Sequence, residues 1–335
     1  MVVTGLNGIP VDSSAVVLNV TVVAPTGPGF VTVYPCGTTR PLASNVNFAS
    51  GQTVSNAVTV APGTGGKVCI YTSDATDLVV DITGGYSVTA GTGLIAGLTP
   101  SRLFDSRTAG TKIVAGAVHE VTVAGQGGVA ADATSVVLNV TATEPDSGGF
   151  LAVYPCGVAT PPTSNVNFAA GQTIPNAVTT AVGTAGKVCV YASATTHIVV
   201  DVTADYSPSR SYGSIASTTI ERLVDTREAT GPTSGAKVLA GQTQEVVVAG
   251  RAGIAADAGA VTLNVTVDAP ETSGFVTVYP CGGTLPLASN LNFVAGQAAS
   301  NAVTTSLGTG GKVCVYTMST THIVVDANAS FEGAA

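Results

Sequence analysis

Three copies of one sequence pattern run along this 335-residue chain, and this repetition limits its possible folds more than any other feature. A Leu-Asn-Val-Thr run contains Asn19 in the first copy and returns with Asn139 and Asn264, at offsets of 120 and 125 residues. Tyr-Pro-Cys-Gly, Ser-Asn-(Val/Leu)-Asn-Phe and Gly-Lys-Val-Cys blocks follow in the same order each time. The repetition predicts three equivalent units, at residues 1–90, 91–210 and 211–335.

The apolar runs within each copy are short and rich in Val, Thr, Ile and Tyr. Gly, Pro, Ser, Asn and Asp separate them at a spacing of about 8 to 12 residues, which is typical of sandwiches and barrels. No window has a convincing helical period. We therefore expect an all-β protein of three tandem antiparallel β-sandwich-like domains. In the second copy the predicted strands are 102–107, 120–124, 135–143, 150–154, 165–168, 176–181, 187–192 and 197–203.

The six cysteines fall two to a copy, always 33 residues apart. This spacing predicts one disulfide in each repeat, which would form in an oxidising compartment and favours an extracellular or cell-surface protein. The opening five residues lack the features of a secretion signal, so we expect a mature or excised segment of a longer precursor. The predicted pairs are Cys36 with Cys69, Cys156 with Cys189, and Cys281 with Cys314.

Charge and hydropathy exclude two classes of partner. Charged residues make up 10% of the chain, against about 25% in typical soluble domains, and the net charge is −8. The 12 Lys and Arg residues form no basic cluster, which argues against nucleic acid. Mean hydropathy is +0.44, but Pro and Gly interrupt every long uncharged stretch, so no segment is expected to insert into a membrane. A neutral, hydroxyl-rich surface favours association between copies.

An aspartate recurs inside one apolar strand of every copy, as Asp81, Asp201 and Asp326. One interpretation is a calcium ligand or an acid catalyst. The favoured one is an inward polar group that backbone amides or Arg satisfy, because a buried carboxylate requires a partner. His197 and His322 begin the same run, but the first copy has no histidine there. No catalytic, metal or cofactor site is predicted, and we do not expect an enzyme.

Recurrent asparagines and lysines suggest two modifications. Asn19, Asn139 and Asn264 match the N-glycosylation acceptor Asn-x-Thr, although they lie in mid-strand. The recurrent asparagines are expected to hydrogen-bond loop and edge backbone instead. The repeated lysine is expected to be solvated, with an isopeptide bond to an asparagine as the alternative. The other residues concerned are Asn56, Asn176, Asn301, Lys67, Lys187 and Lys312.

A charged motif, Arg-Leu-x-Asp-Ser/Thr-Arg, occupies residues 102–107 and returns at 222–227. As a strand, its Asp and Arg residues could pair with each other or with neighbours and seal a sheet edge. The first repeat begins about 20 residues after the point where its own motif would lie, so either the chain is truncated or another chain fills an open edge. The charged motif residues are Arg102, Asp105, Arg107, Arg222, Asp225 and Arg227.

The motif, alternating with the Leu-Asn-Val-Thr, Tyr-Pro-Cys-Gly and Val-Cys-Val-Tyr blocks, resembles tandem repeats of large secreted cell-surface proteins of actinobacteria. The resemblance implies an extracellular bacterial location and repetition, and it carries no active site. Our leading hypothesis is a structural subunit or segment of a surface filament, stalk or layer, with other copies of itself as partners. The alternatives are an adhesin-like array that binds carbohydrate or a receptor, and a viral fibre or decoration protein.

Overall fold

A computed structural model describes residues 1–6, 9–41, 43–87, 94–209, 212–216, 221–228, 235–251 and 253–333. Within these ranges the chain is all-β and every strand pairing is antiparallel. A short 3-10 turn at Thr184–Gly186 is the one helical element of the described part. The five-residue excess of the third copy falls in residues 228–235, whose composition predicts a surface loop, and most of these residues lie outside the described ranges.

The strands recur in the same order in each repeat. The first repeat contains β1 (Ser13–Val23), β2 (Gly29–Pro35), β3 (Val46–Phe48), β4 (Val54–Val60), β5 (Val68–Thr72) and β6 (Asp77–Ser87). The second contains β7 (Leu94–Asp105), β8 (Val118–Thr122), β9 (Ser135–Thr143), β10 (Gly149–Pro155), β11 (Val166–Phe168), β12 (Ile174–Ala181), β13 (Lys187–Ala192) and β14 (His197–Ser207). The third contains β15 (Tyr212–Ala216), β16 (Glu221–Asp225), β17 (Thr243–Val247), β18 (Ala260–Asp268), β19 (Gly274–Pro280), β20 (Leu291–Phe293), β21 (Ala299–Ser306), β22 (Lys312–Thr317) and β23 (His322–Gly333).

Each repeat forms two small sheets, which we call A and B. The A sheets have the strand orders β4-β1-β6, β12-β9-β14-β7 and β21-β18-β23, with β15 and β16 both pairing with β23 in the third repeat. The B sheets have the orders β3-β2-β5, β11-β10-β13-β8 and β20-β19-β22-β17. The chain crosses between the two sheets several times, so one repeat cannot form either sheet without the other.

The two sheets of a repeat share one apolar core. In β1, alternate residues Val16, Leu18, Val20 and Val22 face this core, as strand geometry requires. The residues between them are also buried, so β1 is covered on both faces. The predicted disulfides are confirmed: each joins the residue after β2, β10 or β19 to the neighbouring strand β5, β13 or β22, as Cys36–Cys69, Cys156–Cys189 and Cys281–Cys314.

The second face of each A sheet packs against the next repeat. Strand β4 contacts β11, β12 contacts β20, and β21 contacts β3, which closes the six sheets into a six-bladed propeller arrangement. The innermost A strands β4, β12 and β21 also contact one another near the axis, where Ala57, Ala177 and Ala302 cluster. The repeats therefore form a closed ring and not the expected row of separate sandwich domains. The reason is that each A sheet is covered on both faces, by its own B sheet on one face and by the next repeat on the other.

Six buried asparagines bond the repeats together around the ring. Asn176 donates to Asn19 Oδ1 at 2.8 Å, Asn301 donates to Asn139 Oδ1 at 2.8 Å, and Asn56 donates to Asn264 Oδ1 at 3.0 Å. These bonds run from the second repeat to the first, from the third to the second, and from the first to the third. The cycle closes only when all three repeats are in place.

Asn56, Asn176 and Asn301 each form hydrogen bonds through both the amide nitrogen and the side-chain oxygen. Asn176 also donates to Asn165 O at 2.6 Å, and its Oδ1 accepts the Ala57 N–H of the first repeat at 3.0 Å. Asn19 donates its amide to Ser164 O of the second repeat at 2.8 Å. The expected bonds to loop and edge backbone are present, but most of the partners lie in the adjacent repeat.

An aromatic cluster closes one end of the ring. Equivalent positions of the three repeats hold Tyr86, Tyr206 and Phe331, and the two tyrosine hydroxyls hydrogen-bond each other. Burial raises the pKa of Tyr86 to about 12. Nearby, β7 passes β21 so closely that a Cβ at Gly97 would lie 2.2 Å from the backbone nitrogen of Ser306, so a glycine is required there.

We predict that Asn176→Ala destabilises the ring by about 3 kcal/mol, since it leaves Asn19 Oδ1, the Ala57 N–H and the Asn165 carbonyl without their buried partners. Asn167→Ala, which removes one bond to Ser55, is the control and should cost about 1 kcal/mol. Chemical denaturation measures both. Equal losses of stability in the two variants would show that Asn176 contributes no more than the single Asn167–Ser55 hydrogen bond.

Ring closure also predicts the result of cutting the chain between repeats. A protease site inserted after Ser209, between β14 and β15, allows the chain to be cut without cutting through a strand. We expect the cleaved fragments to co-elute at the size of the intact protein on a sizing column, since the asparagine cycle and the axial contacts remain. Fragments that separate without denaturant would instead indicate independent domains.

Candidate functional site: the outer edge of the A sheets

The charged motif forms the outermost strand of two A sheets. Strand β7 pairs with β14, the last strand of the second repeat, and β16 pairs with β23 of the third. In both pairings the first motif arginine lies opposite the recurrent aspartate, Arg102 opposite Asp201 and Arg222 opposite Asp326. The motif is therefore an integral strand of the fold.

Arg102 connects two carboxylates in the second repeat. Its guanidinium binds Asp201 through Nε and Asp105 Oδ2 through Nη1, the latter at 2.9 Å. Arg107 Nη2 binds the same Asp105 oxygen at 2.7 Å. The side chain of Asp201 is 0% exposed, whereas that of Arg107 is 49% exposed. Arg102 is therefore the arginine that binds the buried Asp201, whereas Arg107 binds Asp105 near the surface.

The third repeat reproduces this cluster. Arg222 Nε lies 2.8 Å from Asp326 Oδ1, and its Nη1 lies 2.9 Å from Asp225 Oδ2. Arg227 Nη2 lies 2.7 Å from Asp225 Oδ2, and its Nη1 reaches Asp268 at 3.3 Å. Two independent copies of one geometry show that the motif specifies it.

The carboxylates of the cluster have opposite pKa shifts. Burial raises the pKa of Asp201 and of Asp326 above the ordinary value, although their arginines oppose the shift. The hydrogen bond from the Arg107 side chain lowers the pKa of Asp105. Each carboxylate binds a guanidinium, and these ion pairs join the motif strand to the neighbouring strand. We call this cluster of Arg and Asp residues the charged clasp.

The motif leucine forms a bulge in each motif strand. Leu103 and Leu223 lie between paired positions in the register, and Leu223 is buried in the core of its repeat while Leu103 packs against its own. One residue after the motif aspartate, the Ser106 hydroxyl accepts the Ile198 N–H at 2.9 Å, and the Thr226 hydroxyl accepts the Ile323 N–H at 2.8 Å.

The two recurrent histidines lie beside these hydroxyls. His197 Nδ1 lies 2.9 Å from Ser106 Oγ, and His322 Nδ1 lies 3.2 Å from Thr226 Oγ1. The corresponding residue of the first repeat is Asp77. The histidines thus belong to the edge contact.

In the first repeat, no described residue forms a strand in this place. Among the described residues β6 pairs with β1 alone, so its outer edge is bare. Val79 is 49% exposed, whereas its counterparts Val199 and Val324 are 3% and 2% exposed. Leu78, Val80 and Ile82 are only partly buried, while the matching residues of the other repeats are buried completely.

Asp81 is the member of the recurrent trio that lacks an arginine. The structure gives it no ion pair with any described residue, and partial burial raises its pKa. Its backbone position opposite Asn19 matches that of Asp201 opposite Asn139. The first repeat thus retains half of the charged clasp.

The proposed modification sites lie in different environments. Asn19, Asn139 and Asn264 are at most 2% exposed inside the ring, where a glycan has no room. Lys187 and Lys312 bind the exposed Glu120 and Glu245 at 2.8 and 2.7 Å on the B-sheet edges, far from the asparagine cycle. These ion pairs place the amines next to carboxylates instead of asparagine amides.

The other candidate ligand sites are a metal-type cluster, a small axial cavity and an open groove of about 400 Å³ lined by residues that include Arg102, Phe104, Glu120 and Gln126. The one metal-type cluster found in the described part of the chain joins Glu120 to Cys156 and Cys189, whose sulfurs form a disulfide and offer no thiolate. A cavity of about 50 Å³ at one end of the axis is lined by all three repeats and could hold a few water molecules. Within the described residues no helix is long and apolar enough to cross a bilayer.

Comparison with known proteins adds two distant structures. No protein-family model and no curated protein matches the chain. A structure of Sulfolobus Turreted Icosahedral Virus aligns with a TM-score of 0.19 and 9% identity over 96% of this chain and 81% of that one. A second, described as a triple jelly roll fold and turret assembly in an archaeal virus, gives 0.18 and 10% over 96% and 80%. Similarity at this level supports no argument about fold or function.

We predict that Arg102→Ala lowers the free energy of unfolding by about 3 kcal/mol, because it leaves the fully buried Asp201 without its cation. Arg107→Ala should cost less than about 1 kcal/mol, since that side chain is half-exposed and Arg102 still binds Asp105. Denaturant titration of both variants tests the difference. A larger loss for Arg107→Ala would contradict the assigned roles.

Proposed function

We propose that the protein is an extracellular structural subunit of a surface filament, stalk or layer, and that neighbouring copies attach by adding a strand to β6. The observation that carries this proposal is the bare outer edge of the first repeat, beside two equivalent edges that are filled. A bare edge presents unpaired N–H and C=O groups, which another strand can pair with directly. No enzymatic activity is proposed.

The ring supports a mechanical role. Its repeats are joined by a closed asparagine cycle, and each repeat is held together by a core that its two sheets share and by one disulfide. Disulfides of this kind are typical of proteins that fold in an oxidising, extracellular environment. A subunit stiffened in this way transmits force to its neighbours without first unfolding a repeat.

The other outer edges are less suited to strand addition. The outermost B strands β8 and β17 carry Glu120 and Glu245, which bind Lys187 and Lys312 of the adjacent strands. Charged side chains on an edge strand discourage pairing with another chain. Strand β6 instead exposes Val79 at its centre, so it is the edge that favours association.

Binding of carbohydrate or a receptor is less well supported. Stacking on sugar rings uses aromatic side chains, and the chain has no Trp and 5% aromatic residues. The axial cavity of about 50 Å³ is too small for a sugar ring, and the open groove of about 400 Å³ beside Arg102 has Phe104 as the one aromatic side chain in its lining. Glycan-array binding by the intact ring would revive this alternative.

We predict that the wild-type protein associates in a concentration-dependent way and that Val79→Lys abolishes the association. Val79 is half-exposed in the free edge but becomes a buried position when the edge is filled, as Val199 shows, so a lysine should block docking without disturbing the fold. Sedimentation and electron microscopy measure the outcome. Val118→Lys on β8, at a residue 45% exposed, is the control and should assemble normally.

Isolated wild-type monomers at all concentrations, across pH and salt, would contradict the proposed assembly. Loss of association in Val118→Lys with retention in Val79→Lys would move the contact to the B-sheet edge.

A further inference from the structure

We propose that the open groove of the second repeat binds a guanidinium cation, the head group of arginine. The groove has a volume of about 400 Å³, within the range of small-molecule sites, about 300–1,000 Å³. It lies between the motif strand β7 and the B strand β8. This inference goes beyond the proposed function, since it concerns a surface other than β6 and a ligand other than a strand.

The third repeat contains the proposed interaction within its own fold. Arg251 lies on the loop after β17, and its Nη1 donates to the Leu223 carbonyl of the motif strand β16 at 3.2 Å. Leu223 is the bulge residue of that strand, between the paired positions Arg222 and Val224. A guanidinium thus binds the bulge carbonyl between the two strands that correspond to β7 and β8.

The second repeat has the same backbone at this loop but a glutamine in place of the arginine. The Gln126 N–H donates to the carbonyl three residues earlier at 3.1 Å, and the Arg251 N–H does the same at 3.2 Å. The carbonyls of both residues accept the N–H three residues later, at 2.9 and 2.8 Å. The two side chains therefore leave equivalent turns, and with glutamine at this position the groove remains open.

The acceptor in the groove is the carbonyl of Leu103, the bulge residue of β7. Leu103 lines the groove, and its carbonyl corresponds to the one that Arg251 binds in the third repeat. Among the described residues no side chain donates to this carbonyl, and Gln126 is exposed. A hydrogen bond from a cationic donor is stronger than one from a neutral donor. The groove therefore presents an acceptor that favours a guanidinium.

The charged residues of the lining favour a cation over an anion. Each of the three guanidinium nitrogens of Arg102 already binds a carboxylate, Nε and Nη2 that of Asp201 and Nη1 that of Asp105. The other charged residue of the lining is Glu120, an exposed carboxylate that binds Lys187 at 2.8 Å. An exposed ion pair of this kind is weak, so Glu120 remains accessible to a second cation.

Phe104 adds an aromatic surface that the third repeat lacks. It lines the groove and stacks on His119, with the ring centroids 4.0 Å apart and the ring planes inclined at 28°. The corresponding residues of the third repeat are Val224 and Gln244. Arginine packs its planar guanidinium on aromatic rings, whereas an ammonium ion is compact and strongly hydrated. The aromatic ring therefore favours guanidinium over ammonium ligands.

NMR titration of the isotope-labelled protein with N-acetyl-arginine methylamide tests the inference. We expect saturable shifts of the Leu103 and Phe104 amides. Gln126→Arg supplies the groove with an arginine of its own, as in the third repeat, and should weaken binding at least about tenfold, the effect of losing a hydrogen bond to a charged group. Gln242→Arg adds the same charge at an exposed turn outside the groove and should bind like the wild type.

The reverse exchange opens the corresponding groove of the third repeat. In Arg251→Gln we expect a second set of saturable shifts, at the Leu223 amide, because the carbonyl loses its internal donor. The citrulline analogue of the probe has the shape of arginine without its charge and should bind at least about tenfold more weakly.

Free arginine distinguishes the two sources of the ligand. Tighter binding of free arginine would support a small-molecule site, and tighter binding of the peptide-like methylamide would support a site for an arginine side chain. Absence of saturable shifts, binding that Gln126→Arg leaves unchanged, or equal binding of the citrulline analogue would each overturn the inference.

Discussion

The asparagine cycle is the interaction on which the rest of the architecture depends. An amide buried without partners costs more free energy than a hydrogen bond returns, so six asparagines inside apolar strands are tolerable only if every one is satisfied. Asn56, Asn176 and Asn301 obtain their partners from the adjacent repeat as well as from their own. A single repeat would therefore expose or orphan these groups. This requirement makes the ring a cooperative unit, in which the A sheets must be covered on both faces.

Local patterns predicted what depends on local chemistry. The eight strands expected in the second repeat all lie within observed strands or overlap them, because Val- and Thr-rich runs bounded by Gly and Pro identify strands whatever they pack against. The disulfides followed from a spacing repeated three times. Ring closure did not follow, since Asn176 and its partner Asn19 lie 157 residues apart and no local rule links them. A usable signal was present: the Leu-Asn-Val-Thr strands are apolar without strict alternation, which indicates burial on both faces.

The candidate site was visible in part from counting. Three cores and two motifs imply one repeat without its motif strand, and this reasoning located the open edge in the first repeat. Sequence alone could not show that the motif arginine binds the recurrent aspartate, because a solvated linker and a sealed edge contain the same residues. The structure supplies an internal comparison. Asp201 and Asp326 are buried beside an arginine, whereas Asp81 occupies the same backbone position with its edge open.

The aspartate at the edge of β6 changes the free energy of covering that edge. Backbone hydrogen bonding alone would allow any extended segment to pair with a bare edge, so such an edge promotes aggregation. A strand that covers Asp81 without offering a cation would desolvate a carboxylate with no compensation, and this cost opposes docking. An arginine at the correct register removes the cost, so the charge contributes to discrimination more than to affinity. Asp81 thus opposes the indiscriminate pairing that an open edge invites.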